Sequence, residues 1–260
     1  MFPEHIQEMR DSETELQKHA LLLADHVFRL GEALGVERVI RPSGNPGESG
    51  PAAIDVETII EKIEKRIGHK IVFHNPFDDE FGIATRFGLI SYRSLLAIYQ
   101  AWRLVRLGCR SVLEIGAGMG RTIVFARSFA VEDYAVIDVP MTLVGQACFI
   151  AATLGEDAVH LVADKGGATG RVRLLPPSRL GSLKQPFDVV LNVNSLTELD
   201  VEQARIYVQF VLAGSRRFIS INHEENAFTV ADLFSGKACD ADRFPYWMRK
   251  GYVEEVFTPR

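Results

Sequence analysis

Cysteine is scarce in this chain, and what there is does not pair. Cys109, Cys148 and Cys239 stand far apart, and their number is odd, among 260 residues. There is no Cys-x-x-Cys pair and no metal-spaced histidine beside them, which argues against a disulfide-stapled scaffold and a thiolate zinc site. A surplus of positive charge is lacking too: 29 Lys and Arg face 34 Asp and Glu, a net charge of −5 with histidine neutral. No global basic field gathers nucleic acid, which is therefore a disfavoured partner. Long apolar runs are also missing. None approaches the roughly 20 residues that span a bilayer, and Met1-Phe2-Pro3-Glu4-His5 lacks the basic start and apolar stretch of a secretory leader. These absences lead to the expectation of a cytoplasmic protein with reduced thiols and no membrane partner.

What is present suits one large α/β domain with an N-terminal helical extension: 47% of residues are hydrophobic and 24% charged. Leu16, Ala20, Leu23, Val27 and Leu30 recur at helical spacing over residues 12–34, with Ser12 and Glu15 placed as a capping box. Residues 41–53 are dense in glycine and proline and are expected to form a mobile loop. A second amphipathic helix is expected over residues 55–67, and a third runs to about residue 107 after Arg86, Tyr92 and Arg93. Short apolar strands then alternate with helices. They are expected at residues 111–115, 134–137, 160–163, 187–193, 218–222 and 252–257, with residues 165–186 an irregular insertion. This alternation is the pattern of a Rossmann-like, doubly wound, mainly parallel sheet, in which ligands sit beyond the carboxyl ends of the strands. Residues 1–107 are expected to be an extension or lid, and residues 108–260 a nucleotide-binding domain.

The chain is organised around Val112-Leu113-Glu114-Ile115-Gly116-Ala117-Gly118-Met119-Gly120-Arg121. An apolar run ends in an acid, breaks into three glycines at alternate positions, and gives way to an apolar helical pattern. That is a buried strand, a tight turn and a helix N-terminus, with glycines that admit positive φ and let a ligand approach the backbone. Asp138, at the end of the second strand, is placed to accept from both ribose hydroxyls of a nucleoside held by Gly116, Ala117, Gly118 and Gly120. Val139 follows it, Asp164 is placed to accept from an adenine amino group, and Glu114 is placed beside a ligand ammonium. A dinucleotide turn would read Gly-x-Gly-x-x-Gly and face a pyrophosphate. Here Arg121 stands where the last glycine would be, and an acid precedes the turn.

Glu114 to Gly120 with Asp138 and Asp164 resembles the class I S-adenosylmethionine-dependent methyltransferases, over about residues 108–258. Asn192-Val193-Asn194-Ser195-Leu196-Thr197-Glu198-Leu199, Ser220-Ile221-Asn222 and Asp138-Val139-Pro140 further resemble the sugar O-methyltransferase family, with Leu196 where that family often has an aromatic. The resemblance implies the class I methyltransferase fold and S-adenosylmethionine as cofactor, with Asn192 and Asn194 beside it. It also implies methyl transfer to a hydroxyl of a small polar acceptor such as a sugar or glycoside.

Such a transfer needs alignment and, for a hydroxyl acceptor, a base. His223 is the first candidate because imidazole titrates near neutrality, with Glu198 and Glu224 as rivals. Arg86, Tyr92, Arg93 and Asn222 are candidates for binding the acceptor. No metal is assigned, since Asn194 and Asn222 stand where a magnesium site would want carboxylates. The competing readings are an NAD(P)-dependent oxidoreductase and a non-catalytic methyltransferase-like binding module. The oligomeric state is not legible, and a homodimer is compatible with it.

Overall fold

The computed structural model describes residues 13–37, 55–77, 80–161, 170–183 and 186–260. Ser12 of the expected capping box, the expected loop at 41–53 and Asp164 all lie outside them. The chain divides into two compact units, residues 1–99 and residues 100–260.

In the first unit, α1 (Glu13–Ala33) and α2 (Val56–Ile67) precede a hairpin of β1 (Ile83–Thr85) and β2 (Gly88–Ile90). Asp55 caps α2 by accepting from the Glu57 N–H at 3.1 Å. Val27 and Leu30 of α1 and Ile59, Ile60 and Ile63 of α2 are all fully buried. Their three- and four-residue spacing gives each helix one apolar face. The next helix, α3 (Tyr92–Arg106), begins in this unit and runs into the second.

The second unit alternates strand and helix: β3 (Ser111–Ile115), α4 (Arg121–Ser128), β4 (Asp133–Ile137), α5 (Pro140–Leu154), β5 (Val159–Leu161), β6 (Val172–Leu175), β7 (Phe187–Val193), α6 (Val201–Gly214) and β8 (Ser215–His223). The short helix α7 (Val230–Phe234) follows, then β9 (Cys239–Pro245) and β10 (Tyr252–Pro259). The sheet order is β5-β6-β4-β3-β7-β8-β10-β9. All neighbours from β5 to β8 are parallel, and β10 pairs antiparallel with both β8 and β9. Leu113, Ala135, Val190 and Phe218 from four strands are buried with Ala204 and Val208 of α6. Phe234 stacks on Phe257 at 4.1 Å between ring centroids, closing that core at its far end.

The hairpin of β1 and β2 was not expected, and in the second unit two further strands depart from expectation. The segment expected as an insertion contains β6, whose Val172 and Leu174 are buried while Arg173 reaches Asp133 at 2.8 Å. A four-residue strand between Gly170 and Pro176-Pro177 carries too short a pattern to stand out among turn formers. Because β6 takes the place beside β4, the strand expected to end at Asp164 is moved outward: β5 pairs only with β6, at the sheet edge. The edge strand β9, exposed along almost its whole length, has no core face and left no apolar alternation to read.

Candidate active site

The glycine turn leaves β3 at Ile115. Gly116, Gly118 and Gly120 have φ of 73°, 54° and 84°, the region that side chains avoid. Gly116 is the most constrained, since a Cβ there would lie 2.2 Å from Ser195 Oγ. Three of the turn's N–H groups are already engaged: Gly116 donates to the Ile137 carbonyl at 3.0 Å, Gly120 to the Ala117 carbonyl at 2.9 Å, and Ala117 to Asp138 Oδ2 at 3.0 Å.

Asp138 is therefore bonded to the turn itself. Its Oδ1 accepts from the Val139 N–H at 2.8 Å, and its Oδ2 also accepts from Gln146 Nε2 at 2.7 Å. A carboxylate has about four acceptor positions, so Oδ1 retains room for a ligand hydroxyl. Gln146 Nε2 also donates to the Gly118 carbonyl at 3.0 Å, which ties the acid and the turn to α5. Its Oε1 is buried with no partner among the described residues. Sequence reading missed Gln146; the available signal was the lone amide in the apolar run of α5.

Glu114, expected beside a ligand ammonium, is 2% exposed and points elsewhere. It accepts from the Tyr134 hydroxyl at 2.7 Å. Burial pushes its pKa up to about 8, the Tyr134 bond opposes that rise, and the charge of Asp138 adds to it. A buried, largely protonated carboxyl suits an internal partner of Tyr134 and not an ion pair with an ammonium.

A cleft of about 390 Å³ opens at the carboxyl ends of β3 and β4. Gly116, Asp138, Val139 and Ser195 line it, with Leu180 and one face of α6 opposite. On that face Tyr207 has its pKa raised by burial and by the charge of Asp138.

The carboxyl ends of β7 and β8 are closed by side chains that bond one another. Asn192, fully buried, donates to the Ile115 carbonyl at 2.8 Å and to Ser195 Oγ at 2.6 Å, and accepts from Asn222 Nδ2 at 2.9 Å. Asn222 also donates to Ser220 Oγ at 2.9 Å and accepts from Thr197 Oγ1 at 3.3 Å, and Thr197 accepts from Asn226 at 2.6 Å. Asn192 and Asn222, expected at the cofactor and the acceptor, thus join β3, β7 and β8. Asn194 stands beyond them with φ of 54°; its N–H donates to the Ile221 carbonyl and its Oδ1 accepts from the Tyr252 hydroxyl, both at 2.9 Å.

The three expected bases fare differently. His223 accepts from the Glu225 N–H at its Nδ1, 3.0 Å away, which leaves the neutral ring's proton on Nε2. That nitrogen lies against Gly251, where a Cβ would come within 2.5 Å, and the ring meets Tyr252 edge-on at 5.0 Å. The Glu225 N–H thus occupies one ring nitrogen of His223, and Gly251 crowds the other. Glu224 is paired with Arg243. Glu198 is exposed and makes no ion pair among the described residues.

In the first unit, Arg86 is paired with Glu57 at 3.4 Å and with Glu61, and lies over the Phe87 ring. Tyr92 packs edge-on against His26 at 4.6 Å, and Arg93 is exposed in the first turn of α3. Among the described residues no group of His, Cys, Asp or Glu is placed to hold a metal ion, and no helix is long and apolar enough to cross a membrane.

No family model and no curated protein matches the chain. Among solved structures, the methyltransferase domain of bacterial CtHen1-C is similar with a TM-score of 0.50, at 11% identity, over 65% of this chain and 99% of that one. The chain has the class I methyltransferase fold. The O-methyltransferase from Bacillus cereus in complex with SAH is similar with a TM-score of 0.46, at 15% identity, over 62% of this chain and 79% of that one. Magnesium protoporphyrin IX methyltransferase from Synechocystis with bound SAM gives 0.47 at 15% identity, over 65% and 80%. The fold assignment rests on the first of these together with the strand order. In this sheet β6 holds the position beside β4, and β5 is an edge strand.

Proposed function

We infer that the cleft at Gly116 and Asp138 binds S-adenosylmethionine, and that the protein transfers its methyl group to a hydroxyl of a small polar acceptor such as a sugar. The observation that carries this reading is the bond from the Ala117 N–H to Asp138. It places a carboxylate on the glycine turn and occupies an N–H that a pyrophosphate would need, so an anionic dinucleotide meets repulsion where an uncharged ribose meets an acceptor. Gly116 lines the cleft beside Ser195, Asp138 Oδ1 accepts from a ribose hydroxyl, and the apolar walls of Val139 and Leu180 suit a base.

When bound, S-adenosylmethionine supplies a methyl group on a sulfonium, open to in-line attack by an oxygen lone pair. The protein's part is chiefly alignment. Ser195, held against the Ile115 carbonyl at 2.9 Å, lines the cleft, and Asn194 follows β7 directly. Asn194 Oδ1 is held by Tyr252, leaving its amide N–H groups to donate to an acceptor oxygen. Glu198, two residues beyond Leu196, is the carboxylate free to take the hydroxyl proton.

Melting temperature tests the reading. S-adenosylhomocysteine is expected to raise it and NAD or NADP to leave it unchanged, because a ligand stabilises only the state it binds. A shift with the dinucleotide alone would replace the methyltransferase reading with the oxidoreductase one. With a panel of glycosides, release of S-adenosylhomocysteine is expected to fall in Glu198→Gln while its binding persists; equal turnover would remove Glu198 as base.

A further inference from the structure

Among the described residues, Asp138 is the acid that lines the cleft. β6, the strand beside β4, continues into Pro176-Pro177, neither of which has an N–H. The Leu175 carbonyl already accepts from the Asp138 N–H at 3.2 Å. Among the described residues this edge presents no carboxylate beyond Asp138. A further polar group stands on the opposite wall. On α6, Gln203, Ile206 and Tyr207 stand at helical spacing and all line the cleft. Gln203 carries a carboxamide whose oxygen and NH₂ match the acceptor and donor that adenine presents side by side on its edge. Two large apolar side chains stand open on the cleft walls, Val139 at 52% exposure and Ile206 at 56%. A flat apolar ring between them would cover both.

We propose that Gln203 reads the base: its amide pairs with the amino edge of adenine from α6, while Val139 and Ile206 hold the ring's faces. The proposal rests on the S-adenosylmethionine reading and assigns the selection of adenine to a helix side chain. Gln203 is exposed on α6, so its replacement leaves the core untouched.

The test is calorimetric, on the full chain, with two probes: 5′-methylthioadenosine and the same nucleoside lacking the exocyclic amine. Wild type is expected to prefer the adenine compound about fivefold to tenfold, the scale of one hydrogen bond. Gln203→Leu is expected to bind both equally. A preference that survives in Gln203→Leu overturns the proposal, even where affinity for both compounds drops together, because a merely structural effect acts on both alike. If wild type binds neither compound nor S-adenosylhomocysteine, the cofactor reading itself fails; binding without base preference overturns the role of Gln203 alone.

Discussion

The carboxyl ends of β3 and β4 and those of β7 and β8 are built from similar residue types and do opposite things with them. At the first, the turn and Asp138 are bonded to each other yet leave a carboxylate oxygen and a 390 Å³ cleft facing outward. At the second, Asn192, Asn222, Thr197 and Ser220 bond one another and leave little unpaired. On the reading proposed above, Asp138 meets a ligand, whereas Asn192, Asn222, Thr197 and Ser220 tie the sheet together. A polar residue at a strand end is thus weak evidence of a site until its partners are known, since buried amides satisfy each other readily.

Substitution separates the two regions, and the largest effect is expected at Gly116. Gly116→Val places a branched side chain at φ of 73° and against Ser195. It should abolish S-adenosylhomocysteine binding in calorimetry; retained affinity would show that the turn is not the cofactor's seat. Asp138→Ala comes next. It removes charge-assisted bonds worth roughly 1.5 to 3 kcal/mol each and releases the Ala117 N–H, so binding should weaken at least tenfold. Asn222→Ala acts on the other region. Leaving Asn192 and Ser220 partly unpaired should cost about 1 to 3 kcal/mol of stability in urea, with affinity for S-adenosylhomocysteine kept. A loss of affinity without a loss of stability would undo the contrast between the two ends.

The smallest effect is one of slope. Glu114 has a folded-state pKa raised to about 8, from 4.5. The folded protein therefore holds a proton that the unfolded chain releases. Its contribution to stability is complete below pH 4.5 and is lost as pH rises towards 8. Glu114→Gln keeps an acceptor for the Tyr134 hydroxyl and should flatten the decline of the urea midpoint between pH 5 and 8. An unchanged slope would mean that Glu114 is ionised in the folded state.

The first region was legible in sequence because its parts are local. The glycines, the preceding strand and the acid ending the next strand follow in order, and each carries a pattern that short-range sterics impose. Strand order was less so: β6 shows only Val172 and Leu174 as a buried pair, and nothing local places it between β4 and β5. The bonds from Glu114 to Tyr134, from Asn222 to Asn192 and from Asn192 to Ile115 span 20 to 77 residues, so no window around each residue could show these partners. His223 was legible as a residue type, while its bond from the Glu225 N–H was not, because that bond depends on the path of the chain after β8.

A crystal structure of the protein with S-adenosylhomocysteine tests the central claim most directly. The account predicts ligand density in the cleft, with a ribose hydroxyl about 3 Å from Asp138 Oδ1 and the base between Val139 and Ile206. Ligand bound away from Asp138, or a cleft without density at saturating ligand, would contradict it.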